Sequence, residues 1–197
     1  MENNWIRIYN EIGENGSLLL IGINSYQDAE LVPWPLIVAD DICRKTSFQI
    51  KNIFLWYKEI GDLEGKDLVL NHIYIIFFVR SLSNYYFNKD SIREPHIFEN
   101  IEWGGKRIKG KSAYHDRKVR RYSPKGRDPG NVFYRTSRDE RGGITQFFEY
   151  SSKEIYRKMI QLLTKDNSTI LTNIKDNDLQ KVVNALKRRI KFLEVMN

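Results

Sequence analysis

Ten basic side chains crowd into residues 105–127: Lys106, Arg107, Lys109, Lys111, Arg117, Lys118, Arg120, Arg121, Lys125 and Arg127. One acid, Asp116, stands among them, so this segment carries +9. The whole chain carries +7, which leaves −2 for the other 174 of its 197 residues. A concentrated cationic stretch repels itself unless a polyanion is near, and lysine and arginine neutralise phosphates with release of counterions. Trp103, Tyr114 and Tyr122 lie in or beside the charges, which suits stacking or packing against a nucleic acid. The charges alone fit two readings, a solvated loop and a phosphate-contacting surface. They do not separate DNA from RNA.

Other chemistry has weaker support. Glu64-Gly65-Lys66 is an E-x-K, part of the pattern in which two acids and a lysine surround Mg²⁺ in nucleases. Asp40, Asp41 or Asp62 could supply the second acid. Matches this short are common in a chain that is 29% charged, and a solvated loop is the reading expected here. The lone cysteine, Cys43, excludes a disulfide framework and a Cys-rich zinc site. His72, His96 and His115 are too scattered for a local ligand set. No G-x-S-x-G supports a serine nucleophile. Tyr85-Tyr86-Phe87 reads as packing before it reads as a base-stacking platform.

The elements that would position these groups follow from periodicity. The content of 41% hydrophobic and 13% aromatic residues supports a real core. Trp5, Ile8, Tyr9 and Ile12 stand at helical spacing, and Gly16 ends that helix. Residues 17–22 form an apolar run of the kind covered on both faces of a sheet. Pro35 suits the first turn of a helix that runs to Lys45. Strands are expected at 52–56 and 73–79, with a polar loop at 62–66, and a short strand at 85–87. Ser151 and Glu154 form a capping box for a helix striped by Ile155, Met159, Leu162 and Leu163. A strand at 169–171, a helix striped by Leu179, Val182, Val183 and Leu186, and a strand at 191–195 complete the chain. Strands alternating with helices predict an α/β fold with a mostly parallel sheet. The irregular stretch 81–145 divides it into a first core part (1–80), a basic insertion and a last core part (146–197).

The longest apolar run, residues 73–79, has strand length and falls far short of the ~20 residues of a membrane span. The N-terminus lacks the basic and apolar regions of a signal peptide. We expect a soluble, cytoplasmic protein with no membrane partner.

Six stretches in order resemble the amino-methylating DNA methyltransferases, which modify adenine N6 or cytosine N4, in their β arrangement. They are residues 14–22, 50–58 with Trp56 and Lys58, 72–81 beginning at His72, 92–95, 126–133 and 187–194. The fourth and fifth are similar to the start and end of that family's target-recognition region. The resemblance implies a Rossmann-like methyltransferase-type core with an inserted target-recognition lobe, and double-stranded DNA as partner. It also implies that Glu194 is a remnant of the acid that holds the cofactor ribose.

Two family features are missing. The chain has prolines at 33, 35, 95, 124 and 129 and no Pro-Pro pair, so the motif that grips the flipped target base is not found; it would precede Ser17. The glycine loop that admits S-adenosylmethionine corresponds to residues 172–178, which hold no glycine. The resemblance therefore implies an incomplete sheet, because the strand leading to the missing motif would lie between the strands at 17–22 and 169–171. An open apolar edge is a liability unless covered, so a rearranged centre, a protein partner or a homodimer is expected there. The expectation is a degenerate, non-catalytic DNA-binding subunit, of a modification or restriction system for example, that is inactive and cofactor-free by itself. One alternative is part of a split S-adenosylmethionine-dependent enzyme that a partner chain completes. The other is a basic nucleic-acid-binding module unrelated to methylation.

Overall fold

The computed structural model describes residues 2–28, 30–60, 69–95, 125–138 and 144–193. Helix α1 (Glu2–Glu11) forms where the apolar spacing places it, and Trp5, Tyr9 and Ile12 pack inward. A tight turn follows, closed by the Gly16 N–H donating to the Gly13 carbonyl at 2.8 Å. A Cβ at Gly16 would strike the Ile12 side chain and the Gly13 carbonyl, so only glycine lets the chain turn this closely. Strand β1 (Ser17–Gly22) then enters the core, followed by the small hairpin β2 (Ser25–Gln27) and β3 (Glu30–Val32). Helix α2 (Trp34–Lys45) starts after Pro33 with Pro35 in its first turn, where a missing N–H costs nothing.

The centre is the long hairpin of β4 (Gln49–Ile60) and β5 (Leu70–Val79). Ile75, Ile76, Phe77, Phe78 and Val79 are all fully buried, so β5 is covered on both faces. Leu18, Leu20, Ile76 and Phe78 pack under α1 and α2, with Ala39 and Ile42. Leu19, Ile21, Ile75, Phe77 and Val79 pack on the opposite face. There they meet helix α3 (Ser152–Leu163), which opens with the expected capping box of Ser151 and Glu154. Strands β6 (Val132–Phe133), β7 (Arg135–Arg138) and β8 (Ile144–Phe148) precede α3. After it, β9 (Thr169–Thr172), α4 (Asn177–Ala185) and β10 (Arg189–Phe192) make a parallel β-α-β unit.

The fold is α/β with an incomplete sheet, and the sheet is mixed where a mostly parallel one was expected. Its strand order is β1-β5-β4-β6, with β5 antiparallel to both neighbours and β4 parallel to β6. The reason is strand length. With strands of five to seven residues the gap from 57 to 72 had room for a crossover. The real strands extend to Ile60 and from Leu70. The nine residues left between them fall short of the dozen or so that a parallel connection needs. Strands β9 and β10 stand apart as a second, two-stranded ladder. The 85–87 strand is not formed; Tyr85 and Phe87 instead pack on Phe77, each at 6.1 Å between ring centres. Ile92 and Phe133, from the two flanks of the basic insertion, are buried in the main core.

Arg80, just past β5, holds α1 in place. Its guanidinium donates to the carbonyls of Ile12 at 2.6 Å and Tyr9 at 3.3 Å, and lies 4.1 Å from the centre of the Tyr9 ring. A ten-residue helix is marginal by itself, so this contact at its negative end matters. Arg80→Ala should lower stability by about 1.5–3 kcal/mol, the usual worth of hydrogen bonds to a charged group. Arg80→Lys should recover only part, lacking the planar fork. Urea midpoints of the three proteins measure this directly.

Candidate functional site

Glu94 and Arg127 meet at the two ends of the stretch that holds most of the basic residues. The Glu94 and Arg127 backbones form an antiparallel bridge, with N–H to O distances of 3.1 and 2.8 Å. Gly126 makes it possible: its φ of +92° suits glycine, and a Cβ there would strike the Glu94 carbonyl. The side chains repeat the tie. Glu94 accepts from the Tyr150 hydroxyl at 2.7 Å, from Lys158 Nζ at 3.2 Å and from Arg127 Nη2. Burial pushes the Glu94 carboxyl up, but the Tyr150 bond and the two cations outweigh it and hold it below the usual range. Burial and the same bond drive the Tyr150 phenol upward. Beside this network Asp90 binds Lys125 at 2.5 Å and Arg93 at 2.6 Å, bonds that hold its carboxyl down at about 2. Lys89 pairs with Asp128.

Lys125 and Arg127 thus have acidic partners at the foot of the segment. Lys106, Arg107, Lys109, Lys111, Arg117, Lys118, Arg120 and Arg121 lie outside the described residues, as do Glu194, Asp62 and Glu64-Gly65-Lys66. Asp40 and Asp41 are bound within α2 to Arg44 and Lys45, each at 2.7 Å. No group of three His, Cys, Asp or Glu side chains suited to a metal occurs among the described residues. No helix there is long and apolar enough to cross a membrane.

The second feature is a cleft of about 1270 Å³ between the two ladders. Its walls include five consecutive residues of β1, Ser17 to Ile21, and all of β9, Thr169 to Thr172. Alternate side chains of a strand point to opposite faces. A cavity that touches every residue in turn therefore faces the strand's edge. Both strands end their ladders, β1 beside β5 and β9 beside β10. Helix α1 contributes Trp5 and Ile8 to the cleft, with Ile12 just past its end, and α3 contributes Met159, Ile160 and Leu163. Glu11 and Lys191 join across it as an ion pair.

The arrangement of these elements is shared with known enzymes. One is the M1.HpyAVI–SAM complex, with a TM-score of 0.55 and 14% identity, covering 98% of this chain and 75% of that one. Another is the PvuII DNA methyltransferase, cytosine-N4-specific, with a TM-score of 0.56 and 12% identity over 91% of this chain and 60% of that one. The fold is amino-methyltransferase-like. No family model and no curated protein matches the chain.

On a methyltransferase fold the loop after β9 is where a cofactor would be tested. In this chain Thr172, Asn173 and Ile174 of that loop line the cleft. The Ile174 side chain packs against the cluster of α4 with Leu179, Val182 and Val183, and its N–H donates to Thr172 Oγ1 at 3.0 Å. Asp176 caps α4, accepting from the Asp178 N–H at 2.7 Å. Its other oxygen accepts from the Tyr156 hydroxyl at 3.0 Å; burial and this bond push that phenol up to about 12. A cofactor that must approach the backbone needs residues without a Cβ and free helix N–H groups. This loop offers a half-buried isoleucine and a helix start already capped by Asp176.

The Glu94 network left no mark in the sequence. Glu94 lies 64 residues from Lys158 and 56 from Tyr150, and separations of that size leave no periodic signal. The buried, hydrogen-bonded Trp56, whose indole donates to the Tyr150 carbonyl at 2.9 Å, fixes Tyr150 from the sheet side.

Proposed function

We propose that the chain is a DNA methyltransferase-like subunit that binds double-stranded DNA through its basic insertion and performs no methyl transfer by itself. The observation that carries this reading is the loop after β9, glycine-free and closed by Ile174, Asp176 and Tyr156, on a methyltransferase fold. The concentration of +9 in residues 105–127 supports the DNA partner, and the Glu94–Arg127 bridge supports a fixed base for that segment. A place in a cytoplasmic modification or restriction complex belongs to the same proposal.

A second reading is favoured by the cleft. A partner chain seated between β1 and β9 could complete a split methyltransferase and bring the cofactor contacts this loop lacks. Calorimetry with S-adenosylmethionine and a duplex-DNA binding assay, both on the purified chain, test the first reading. DNA binding without cofactor binding is the expected result. Low-micromolar cofactor binding with labelled methyl transfer would overturn it.

A further inference from the structure

We propose that the β7–β8 ribbon enters the DNA major groove and reads base edges through Gln146, flanked by Ser137 and Thr145. The proposal rests on the duplex-DNA reading above and divides the work: residues 105–127 supply phosphate contacts and the ribbon supplies base contacts. The ribbon lies beyond the stretches 92–95 and 126–133 and matches none of the six that carry the family resemblance.

Core packing does not account for the ribbon. Among the described residues β7 and β8 pair only with each other, and every residue of β8 is exposed. Two strands alone are marginal in water. The foot, by contrast, is fixed. Trp56 pairs in register with Phe133, just before β7, and its indole donates to the Tyr150 carbonyl, just past β8, at 2.9 Å. The Tyr150 hydroxyl donates to Glu94, which also binds Arg127, the last cation of the basic stretch. One carboxylate thus joins the foot of the ribbon to the end of the +9 segment, so the two can engage one duplex.

The two faces differ. Thr136 pairs with Phe147, Ser137 with Gln146 and Arg138 with Ile144, which leaves Thr145 as the extra residue of a bulge. The Thr145 and Ser137 hydroxyls lie 2.8 Å apart, so Ser137, Thr145 and Gln146 share a face. Tyr134 and Phe147 meet on the other, their rings 5.3 Å apart, a contact that stabilises the ribbon. Hydroxyls and amides are base-reading groups, and Gln fits adenine N6 and N7 as a bidentate pair. Arg135 is tied at the foot to Glu154 at 3.5 Å. No carboxylate stands in either strand. Asp139 and Glu140 between them leave residues 134–148 at only +1, so the ribbon's part is specificity, while phosphate contacts position the duplex.

The size agrees. Paired strands lie about 4.8 Å apart, and a two-stranded ribbon fits the major groove of about 12 Å but not the minor groove of about 6 Å. The five residues of β8 span about 17 Å, the rise of about five base pairs.

The test selects preferred sites for the full chain from a pool of random duplexes and then measures variants on the chosen duplex. A preference that includes adenine is expected. Gln146→Ala should bind that duplex about 5- to 150-fold more weakly and relax the choice at that position, with the salt slope unchanged. Gln146→Glu, which only accepts, should shift the choice toward cytosine. Placing 7-deazaadenine there removes a major-groove acceptor, and should weaken wild type but not Gln146→Ala. Absence of duplex binding overturns the DNA reading and the ribbon with it. Binding without sequence preference, a preference that both variants keep, or a flatter salt slope in Gln146→Ala overturns the ribbon alone. So does tighter binding of one strand of the chosen sequence than of the duplex.

Discussion

Binding of duplex DNA should weaken by about 250- to 1,000-fold when salt is raised fourfold. This follows if half of the ten basic residues in 105–127 touch phosphate. Each neutralised phosphate contributes about −0.9 to the slope of log K against log salt, so about five of them give roughly −4 to −5. The rest of the chain sums to −2 and adds nothing to this attraction. Replacing Arg117, Lys118, Arg120 and Arg121 together with alanine should flatten the slope by about 0.9 for each phosphate no longer neutralised. A folded quadruple variant with an unchanged slope would mean that the segment is a solvated loop. It would also remove the main physical argument for a nucleic-acid partner.

Glu94→Ala is expected to be the most damaging single change at the foot of the insertion. It leaves Lys158 and Arg127 without their shared carboxylate and the Tyr150 hydroxyl without its acceptor. Breaking a fully buried pair from one side costs about 3–5 kcal/mol. The Glu94 side chain is 17% exposed and Arg127 37%, so about 2–3 kcal/mol is the scaled expectation. Glu94→Gln keeps an acceptor for Tyr150 and should lose less. The carboxyl is held below its ordinary range, so its contribution is complete above the unfolded value of about 4.3 and disappears as pH falls through the lower folded value. Wild-type protein should therefore lose stability below about pH 4 more steeply than Glu94→Gln. Chemical denaturation at pH 7 and at pH 3.5 separates these outcomes; equal pH dependence in the two proteins would refute the assigned role.

The local part of this architecture is written in local sequence. The capping box at Ser151, Pro35 in the first turn of α2 and the apolar run of β1 each declare themselves within a few residues. Strand ends do not, because Gln49-Ile50-Lys51 and Tyr57-Lys58-Glu59 are polar enough to read as loop, yet Gln49, Ile50, Tyr57 and Ile60 pair across the hairpin around irregularities at Lys51 and at Lys58-Glu59. That error of a few residues turned an antiparallel pair into an apparent crossover. The family resemblance placed an open centre between β1 and β9, and the cleft lies there. It could not show Ile174 packed against α4 and Asp176 capping that helix, since Asp176 is tied to Tyr156, twenty residues away.

Because Glu94 and Arg127 are bonded to each other through both backbone and side chains, the chain between them leaves and re-enters the core at one point. Doubling the length of such a loop adds about 0.6 kcal/mol to its closure entropy, less than one good hydrogen bond. The closure cost therefore sets only a weak limit on the length of chain between Glu94 and Arg127. A lineage could acquire a new recognition preference by replacing one cassette, and a laboratory graft of another basic segment onto the same two anchors would exploit the same economy.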